Sequence, residues 1–531
     1  MNSNSKIIIP IVFCGALAIG VFVGSFFFGS KMYGNGTHSS LTKLNEILHY
    51  IERDYVEKVN TDSLIDHNIQ DILSKLDPHS AYISNEDIDL AHSQLEGAFE
   101  GIGVEFQIIE DTITVVSAIS GGPSEALGIQ SGDRIVNVDG KNVAGVKITT
   151  EQVFKHLRGK KGTIVKVKIK RNGEANLLTY NISRDKISTH SVEIAYMAQP
   201  TVGYIKVTRF AENTHSEFHQ ALVDLKKKGM QKLVLDLREN PGGYLDQAVK
   251  IVDDLLMDNK LVVYTDGKGT QYDSKYLTET KGEFETQPII VLINEGSASA
   301  SEIVSGALQD HDRALIMGRR SFGKGLVQRP IELNDGSEIR LTISKYFTPS
   351  GRCIQKPFSD DYDLEIVKRY ENGEYYHKDS TKQDTKQKFK TEKGRTVYGG
   401  GGIMPDVFVP RDTTDYTPLL GELYSKNLLR EFALKYTTAN KALLKNQSFE
   451  KFNATFKFTP QLQAQFKAII TKNNIKFTDK EFNHSLKLIE IDIKAFIAKN
   501  TWGNEAFWKV FQQQDVLLNK AFKSFPLAEK L

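Results

Sequence analysis

The sequence contains little cysteine, and this scarcity excludes a fold held together by disulfides. Only Cys14 and Cys353 occur in 531 residues. They lie far apart, and Cys14 falls in an apolar segment, so we expect no disulfide within the chain. The chain also lacks an excess of one charge, since it contains 68 basic and 66 acidic residues. The net charge of +2 gives no overall field that would attract nucleic acid, which we do not expect as a partner.

Long hydrophobic runs are also lacking, with one exception near the amino terminus. Residues 7–28 carry no charge and are mostly apolar. A helix of that length, at about 1.5 Å per residue, crosses a hydrocarbon core of about 30 Å. No small-residue cleavage site follows, which favours an uncleaved signal anchor. We therefore predict a single-pass protein of the cytoplasmic (inner) membrane. The slight charge bias predicts that everything after residue 30 lies on the extracytoplasmic, periplasmic side.

The rest of the chain divides into four regions by the periodicity of its apolar residues. Residues 41–97 show helical spacing, and residues 98–185 show the alternation of short strands. In residues 186–412 strands and helices alternate, which predicts an α/β core with a buried sheet. Within that core, residues 356–395 are polar and rich in lysine, and we interpret them as a solvated insertion loop. Residues 413–531 are amphipathic helix again.

A candidate nucleophile follows the apolar strand predicted at residues 288–293. The sequence NEGSASASE at 294–302 places small residues where this strand meets a helix. The first N–H groups of a helix are unpaired and can stabilise an oxyanion, and a serine there can attack a carbonyl. The alternative is an ordinary serine-rich N-cap, for which Ser301 with Glu302 is a candidate.

A serine nucleophile also needs a base. His311 belongs to the far end of the same predicted helix, so we expect a surface histidine that points away. Lys324 is the better candidate because glycines flank it, and a lysine acts as a base when burial makes it neutral. On a strand, Gln328 would share a face with Lys324 and could orient its amine. The alternative is an ordinary surface lysine.

Two glycine motifs have different interpretations. Residues 318–324 fit the opening of a phosphate-binding P-loop, but Gly325 stands where Ser or Thr should hold magnesium, and a strand follows, so we reject nucleotide binding. The turn NPGG at 240–243 follows a predicted strand and either presents N–H groups to an oxyanion or only forms a turn. Just before it, Asp236 and Arg238 are predicted to form a structural ion pair.

Taken together, the motifs resemble those of the carboxyl-terminal processing (tail-specific) peptidases. The resemblance covers about residues 41–410 and rests on the segments GSASASE at 296–302, FGKG at 322–325, NPGG at 240–243 and TPSG at 348–351. It implies a protease core similar to the crotonase and Clp-protease folds, with a PDZ domain of the inserted type at residues 98–185. A helical lead-in and a helical C-terminal region flank these parts.

By position, the resemblance implies the residues of a serine-lysine dyad. Ser299 corresponds to the nucleophile, Lys324 to the general base and Gln328 to the supporting glutamine. The implied oxyanion donors are the N–H groups of Ala300 and of either Gly242 or Gly243. No metal and no cofactor are implied.

The resemblance also implies how substrates are recognised. The candidate loop for the substrate carboxylate is formed by Gly101, Ile102, Gly103 and Val104. It would bind proteins with free C-terminal tails by strand addition. Val153 either lines the pocket for the last side chain or belongs to the core. The insertion and the terminal helices match nothing in the resemblance, and they are candidates for binding an adaptor protein, for forming a homo-oligomer or for gating the site.

The sequence therefore predicts a membrane-anchored, extracytoplasmic serine endopeptidase that captures protein tails. One alternative is a catalytically inactive PDZ scaffold, against which the intact Ser299, Lys324 and Gln328 argue. An acyl-CoA enzyme on the related crotonase fold is a second alternative, made improbable by the PDZ domain and the anchor.

Overall fold

The structure, a computed structural model, describes residues 38–93, 95–119, 121–171, 173–358, 362, 364–380 and 386–531. The predicted anchor at residues 7–28 lies outside them. Within this described part, no helix is long and apolar enough to cross a membrane. The chain divides into two compact units, Met1–Leu76 and Asp77–Leu531, and each is considered by itself.

The first unit contributes two described helices, α1 (His38–Asp54) and α2 (Thr61–Ser74). Asn60 precedes α2, and its side chain accepts the backbone N–H of Ser63. This bond satisfies one of the N–H groups that have no partner within a helix.

The second unit begins with short elements: β1 (Ala81–Ile83), α3 (Ile88–Ser93) and β2 (Ala98–Gly101). The helical pattern predicted for residues 41–97 is therefore wrong at β1, which pairs antiparallel with residues 338–340. Tyr82 and Ile83 are residue types that favour strands once a partner strand is available. The partner lies about 250 residues away, so the local sequence does not reveal it.

A small β domain follows. Its elements in chain order are β3 (Val104–Ile108), β4 (Ile113–Ala118), α4 (Pro123–Ala126), β5 (Arg134–Val138), β6 (Lys141–Asn142), α5 (Thr150–Leu157), β7 (Ile164–Lys170) and β8 (Leu178–Ser183). The sheet order is β3-β4-β5-β7-β8, so β3 forms one edge. The predicted alternation in β7 is confirmed, because Val165, Val167 and Ile169 are buried between exposed residues. The returning strand β9 (Asp185–Ser188) pairs with β2, so the domain is inserted on a two-stranded stalk.

The α/β core comes next along the chain. Its elements are β10 (Val192–Gln199), β11 (Val202–Val207), α6 (Thr214–Lys227), β12 (Lys232–Asp236), α7 (Leu245–Asp253), β13 (Leu261–Gly267), β14 (Ser274–Leu277), β15 (Ile289–Ile293), α8 (Ala300–Asp310), β16 (Ala314–Gly318), β17 (Leu326–Glu332), β18 (Glu338–Phe347), α9 (Glu365–Glu371), β19 (Lys388–Lys390), β20 (Thr396–Tyr398) and β21 (Val407–Phe408). The central sheet has the order β10-β11-β12-β15-β16-β21 and is parallel except for β10. The predicted alternation of strands and helices is confirmed.

A second sheet of the core carries the segment that follows Lys324. Its order is β1-β18-β13-β14, and β17 also pairs with β18. β17 begins at Leu326, so Lys324 lies in the loop just before the strand. The prediction that Lys324 and Gln328 share one face of a strand is therefore wrong.

The insertion at residues 356–395 is not a solvated loop, and that interpretation is wrong. Its described part contains α9 and β19, and Arg369 and Glu374 are buried. Glu374 binds Arg369 and Arg320, and Arg369 donates to the carbonyl of Ser321 at 3.0 Å. Polar residues are buried here because they are paired with partners from other segments, which composition does not show.

The terminal region is helical. Its helices are α10 (Pro418–Ser425), α11 (Leu428–Ala439), α12 (Lys441–Lys445), α13 (Phe449–Thr455), α14 (Pro460–Lys472), α15 (Asp479–His484), α16 (Leu486–Trp502), α17 (Asn504–Phe511) and α18 (Val516–Ala528). Helices α10 to α17 contribute buried residues to an apolar core separate from that of the central sheet.

The central sheet is covered on both faces. On one face, Leu235 and Val291 pack with residues of α6, α7 and α8. On the other face, Val234 and Ile290 pack with α17 and α18, including the nearly buried Trp508. The last two helices of the chain are therefore part of the core.

The terminal helices also contact the small β domain. Lys472 and Lys435 lie 2.8 and 3.8 Å from Glu110, and Lys499 lies 2.9 Å from Glu105. Pairs of this partly exposed kind each stabilise a contact by about 0–1 kcal/mol. Together they show that the terminal region bridges the small domain and the core.

Candidate active site

Ser299 lies where β15 ends and α8 begins. Its φ of 54° falls in the region that favours glycine, and a strained non-glycine residue of this kind costs about 1–3 kcal/mol. The neighbouring serines hold the turn: the hydroxyl of Ser297 donates to the carbonyl of Leu237, and that of Ser301 to Asn240. Ser301 is therefore not the cap. Ser299 itself occupies the N-cap position.

Glu302 joins the Ser299 turn to the Lys324 loop. Its Oε2 accepts the N–H of Ser299 at 2.8 Å and that of Lys324 at 2.9 Å. Its Oε1 accepts the N–H of Gly323 at 2.7 Å and the hydroxyl of Ser321. Burial raises the pKa of Glu302 to about 7, although these four donors favour its charged form. One carboxyl group thus sets the spacing of two separate segments.

Tyr346, on β18, joins the same two segments a second time. Its hydroxyl lies 2.7 Å from the carbonyl oxygen of Lys324 and 3.1 Å from that of Ser299. Burial keeps the pKa of Tyr346 well above its ordinary value, so the hydroxyl remains a donor. The backbones of Ser299 and Lys324 are consequently fixed from two sides.

The side chain of Lys324 is largely buried. Burial lowers the pKa of its ammonium below the ordinary value, and the positive charge of Arg340 acts in the same direction. The negative charges of Glu302 and Asp77 oppose this shift without reversing it. Lys324 is therefore not an ordinary surface lysine, and its neutral form is populated at lower pH than usual.

Gln328 forms its side-chain hydrogen bond with Thr342 and not with Lys324. Its Nε2 lies 3.4 Å from Oγ1 of Thr342, whose hydroxyl donates to Asp77 at 3.1 Å. Within the described part of the chain, no hydrogen bond joins the Lys324 amine to Gln328 or to Ser299. The structure therefore fixes the backbones of Ser299 and Lys324, and no hydrogen bond joins their side chains.

The glycine turn lies against Ser299. A Cβ on Gly242, whose φ is 99°, would stand 2.7 Å from Cβ of Ser299 and 2.9 Å from the nitrogen of Ala300. No larger residue fits there. The N–H of Gly242 is donated to Oδ1 of Asn240 at 2.9 Å, and the carbonyl of Gly242 accepts the N–H of Phe210. The turn thus approaches the start of α8 as closely as an oxyanion site requires.

Other predictions for this region have mixed outcomes. The ion pair is confirmed, with Arg238 bonded to Asp236 and also to Asp515 at the start of α18. A strand follows Lys324, in agreement with the rejection of a P-loop. His311 is wrong as a surface histidine, because it is nearly buried and bonded to Glu392 and to the carbonyl of Leu261.

Family models match most of the described chain. Residues 101–182 match the PDZ domain and residues 201–364 match Peptidase family S41. Residues 419–503 match a family of unknown function (DUF8443).

Individual relatives agree with these matches. The Carboxy-terminal-processing protease of Bartonella bacilliformis is 38% identical over 323 residues, which are 60% of this chain and 73% of that relative. The Carboxy-terminal processing protease CtpA of Bacillus subtilis is 35% identical over 352 residues, 66% of this chain and 74% of its own length. The chain belongs to peptidase family S41. It is a carboxy-terminal processing protease, a serine-type endopeptidase, which argues against the scaffold and acyl-CoA alternatives. Among solved structures, the photosystem II D1 C-terminal processing protease is 26% identical, covers 71% of this chain and 88% of its own, and has a TM-score of 0.36.

In the PDZ domain of this protease, the loop predicted to bind a carboxylate has Gly101, Ile102 and Gly103 buried and Val104 partly exposed. The carbonyl of Ile102 accepts the N–H of Ser124, and that of Gly103 accepts the N–H of Ile119. Because peptide bonds are trans, the N–H groups of Gly103 and Val104 point the opposite way.

The edge strand β3, which follows this loop, contacts α5. The rings of Phe106 on β3 and Phe154 on α5 meet in an edge-to-face contact, 5.8 Å between centroids. Val153 is fully buried in the domain core. The domain therefore has a sheet edge beside α5, and an extended peptide can add to a sheet edge as a further strand.

Two residues that position the site were missed in the sequence. Glu302 gives a recognisable signal, an acid three residues after a serine at a helix start, but this signal is typical of an ordinary cap. Tyr346 gives none, since its contacts reach across 22 and 47 residues. In both cases the function follows from burial between segments that are distant in sequence.

Replacing Glu302 by glutamine should lower both stability and activity. Glutamine keeps one acceptor oxygen and turns an NH2 group toward the other pair of donors, leaving two buried N–H or O–H groups unpaired. We expect a loss of about 2–3 kcal/mol of unfolding free energy and at least about a 10²-fold loss in kcat, as found when a supporting group misplaces reacting atoms. Thermal unfolding and peptide hydrolysis measure the two effects.

The matched control is Glu295→Gln. Glu295 lies in the same turn but pairs with Arg319, away from the Lys324 loop. It should retain most of the activity. Equal losses in both variants would contradict the role of Glu302.

Proposed function

We propose that this protease cleaves with Ser299 as nucleophile and Lys324 as general base, on the extracytoplasmic side of a membrane to which residues 7–28 anchor it. The observation that carries the dyad is the buried amine of Lys324 on a loop that Glu302 ties to Ser299. A neutral amine next to a serine hydroxyl is the minimum set for acyl transfer without histidine.

In the proposed reaction, the Lys324 amine takes the proton of the Ser299 hydroxyl while its oxygen attacks the peptide carbonyl. The tetrahedral intermediate collapses when the ammonium returns that proton to the leaving amine, and an acyl-enzyme remains. Water then attacks the acyl-enzyme, giving its proton to Lys324, and the carboxylic acid product leaves as Ser299 recovers a proton. Gln328 supports the amine in this scheme.

The oxyanion of the intermediate is proposed to bind two backbone N–H groups. Ala300 supplies one, as the first residue of α8, where N–H groups lack helical partners. The glycine turn supplies the second. The N–H of Gly242 is already donated to Asn240, which favours the N–H of Gly243, while Gly242 provides the close approach.

The side chains of Ser299 and Lys324 are proposed to meet when substrate binds. Catalytic hydrogen bonds are often absent from unliganded enzymes and form in the substrate complex. The PDZ domain would capture a tail with an apolar last residue at Gly101–Val104 and so place an upstream bond at the dyad. In architecture, the parallel sheet with a helix starting at the nucleophile supports a core of the crotonase and Clp-protease type.

The location rests on the sequence. The uncharged run at residues 7–28 is long enough for a bilayer, and no cleavage site follows it. We propose a single-pass anchor in the cytoplasmic membrane with the amino terminus inside and the PDZ domain, core and terminal helices outside.

Sealed membrane vesicles of known orientation, containing the full chain, test both parts. With a fluorogenic peptide that ends in an apolar residue outside, right-side-out vesicles should cleave without detergent and inside-out vesicles only after detergent. In detergent, kcat/KM should rise with pH as Lys324 loses its proton. The midpoint of this rise should lie below about 10.4, the pKa of a free lysine.

The opposite orientation of activity would overturn the location and leave the dyad standing. A rising limb that persists in Lys324→Ala would overturn the dyad instead.

A further inference from the structure

A cluster of two histidines and an aspartate lies outside the proposed active site. His215 and His219 are one turn apart on α6, and Asp254 follows the end of α7. Nε2 of His215 lies 3.1 Å from Oδ2 of Asp254, and Nδ1 of His219 lies 2.9 Å from Oδ1. The three ligand atoms are all within 4.8 Å of one another.

We propose that these three side chains form a binding site for a zinc ion. Two imidazole nitrogens and one carboxylate oxygen are a ligand set that zinc accepts, with a fourth position left for water. With zinc–ligand bonds of about 2.0–2.1 Å, tetrahedral ligands stand about 3.3 Å apart. The observed separations from Asp254 need to expand by only a few tenths of an ångström.

The scaffold around the cluster is already fixed. The backbone N–H of His215 donates to Gln247 of α7 at 3.0 Å, which ties the first turn of α6 to α7. The carbonyl of Asp254 accepts the N–H of Phe284, and its side chain is nearly buried. His215 and His219 remain partly exposed, at 32% and 44% of the side chain, so a metal can enter from solvent.

The position of the site indicates a structural role. α6 begins just after Phe210, and α7 begins just after Gly243; Phe210 and Gly243 form a β-bridge in the turn beside Ser299. The nine residues of α7 span about 13 Å, so a metal at Asp254 would lie about that far along α7 from the turn. It would link α7 to α6, the other helix that starts at this turn. Zinc would therefore stabilise the core without entering the reaction.

The test uses the full chain without a histidine tag, stripped with a chelator and titrated with Zn²⁺ against a competing metal-binding dye. We expect one zinc ion per chain and a rise in the midpoint of thermal unfolding, because a ligand that binds the folded state stabilises it. His219→Gln should weaken zinc binding by at least about 100-fold. Loss of a residue that only hydrogen-bonds to a metal ligand already costs up to about that factor, and loss of the ligand itself should cost no less. Co²⁺ in place of Zn²⁺ should give the visible absorption of a four-coordinate site in the parent chain and not in the variant.

His190→Gln is the matched control. His190 is an exposed histidine that pairs with Glu217 of the same helix α6, and its loss should leave zinc affinity unchanged. The absence of stoichiometric binding, equal affinity in His219→Gln and the parent chain, or an equal loss in His190→Gln would each overturn the proposal. Because His219 is partly exposed, circular dichroism should show that the His219→Gln variant is folded. A parallel Asp254→Asn variant tests the third ligand and should also weaken zinc binding.

Discussion

Ser299→Ala should lower the rate of peptide hydrolysis by at least about 10³-fold, because removing the proposed nucleophile leaves only binding and oxyanion stabilisation. The tail-binding loop lies in a separate domain, so affinity for a peptide with an apolar C-terminus should remain within a factor of about two. Single-turnover hydrolysis and fluorescence anisotropy measure the two quantities.

Ser305→Ala provides the control for this variant. Ser305 is buried in the same helix, and its hydroxyl donates to the carbonyl of Ser301 at 2.8 Å. The substitution should cost about 1 kcal/mol of stability and little activity. Undiminished hydrolysis by Ser299→Ala would contradict its assignment as nucleophile.

Lys324→Ala should reduce kcat by a similar factor, at least about 10³-fold, because the hydroxyl of Ser299 then has no base. Lys324→Arg should not restore activity, since a guanidinium remains protonated at all accessible pH values. Measuring kcat over a range of pH separates the loss of a base from a general loss of folding. The rising limb of the parent enzyme should be absent from both variants.

Lys356 is the competing candidate for the base. It is also buried, and its backbone N–H donates to Gly323 in the same loop. Its ammonium, however, pairs with Glu365 at 3.1 Å and lies 4.3 Å from the ring centroid of Phe322. Burial lowers the pKa of Lys356 below its ordinary value, as it does for Lys324, but these partners oppose the shift by favouring the charged form. Lys356→Met should therefore keep the rising limb of the pH profile of kcat. If Lys356→Met lost this limb and Lys324→Ala kept it, Lys356 would be the base instead of Lys324.

The site was predictable from sequence where chemistry is carried by short motifs. The serine run at 296–302, the lysine at 324 and the glycines at 242 and 243 could be found as candidates because each sits next to a recognisable strand or turn. Their mutual spacing was not predictable. It depends on Glu302 and Tyr346, which contact both segments at once.

The terminal helices show the same division on a larger scale. Their amphipathic pattern predicted helices, yet α17 and α18 could not be assigned to the core, because an apolar stripe does not indicate which surface it covers. In the structure they cover the second face of the central sheet, and Asp515 adds an ion pair to Arg238.

By itself, the sequence determined the order of strands and helices in the core, the alternation that builds the PDZ sheet and the residue types available for catalysis. These follow from local periodicity and from groups adjacent in the chain. Only the tertiary structure decided which charges are buried, as for Glu302 and for Glu374 in the insertion, and which amine loses its water. Burial depends on partners that are distant in sequence, and the free energy of a charge changes by several kcal/mol according to whether such partners are present.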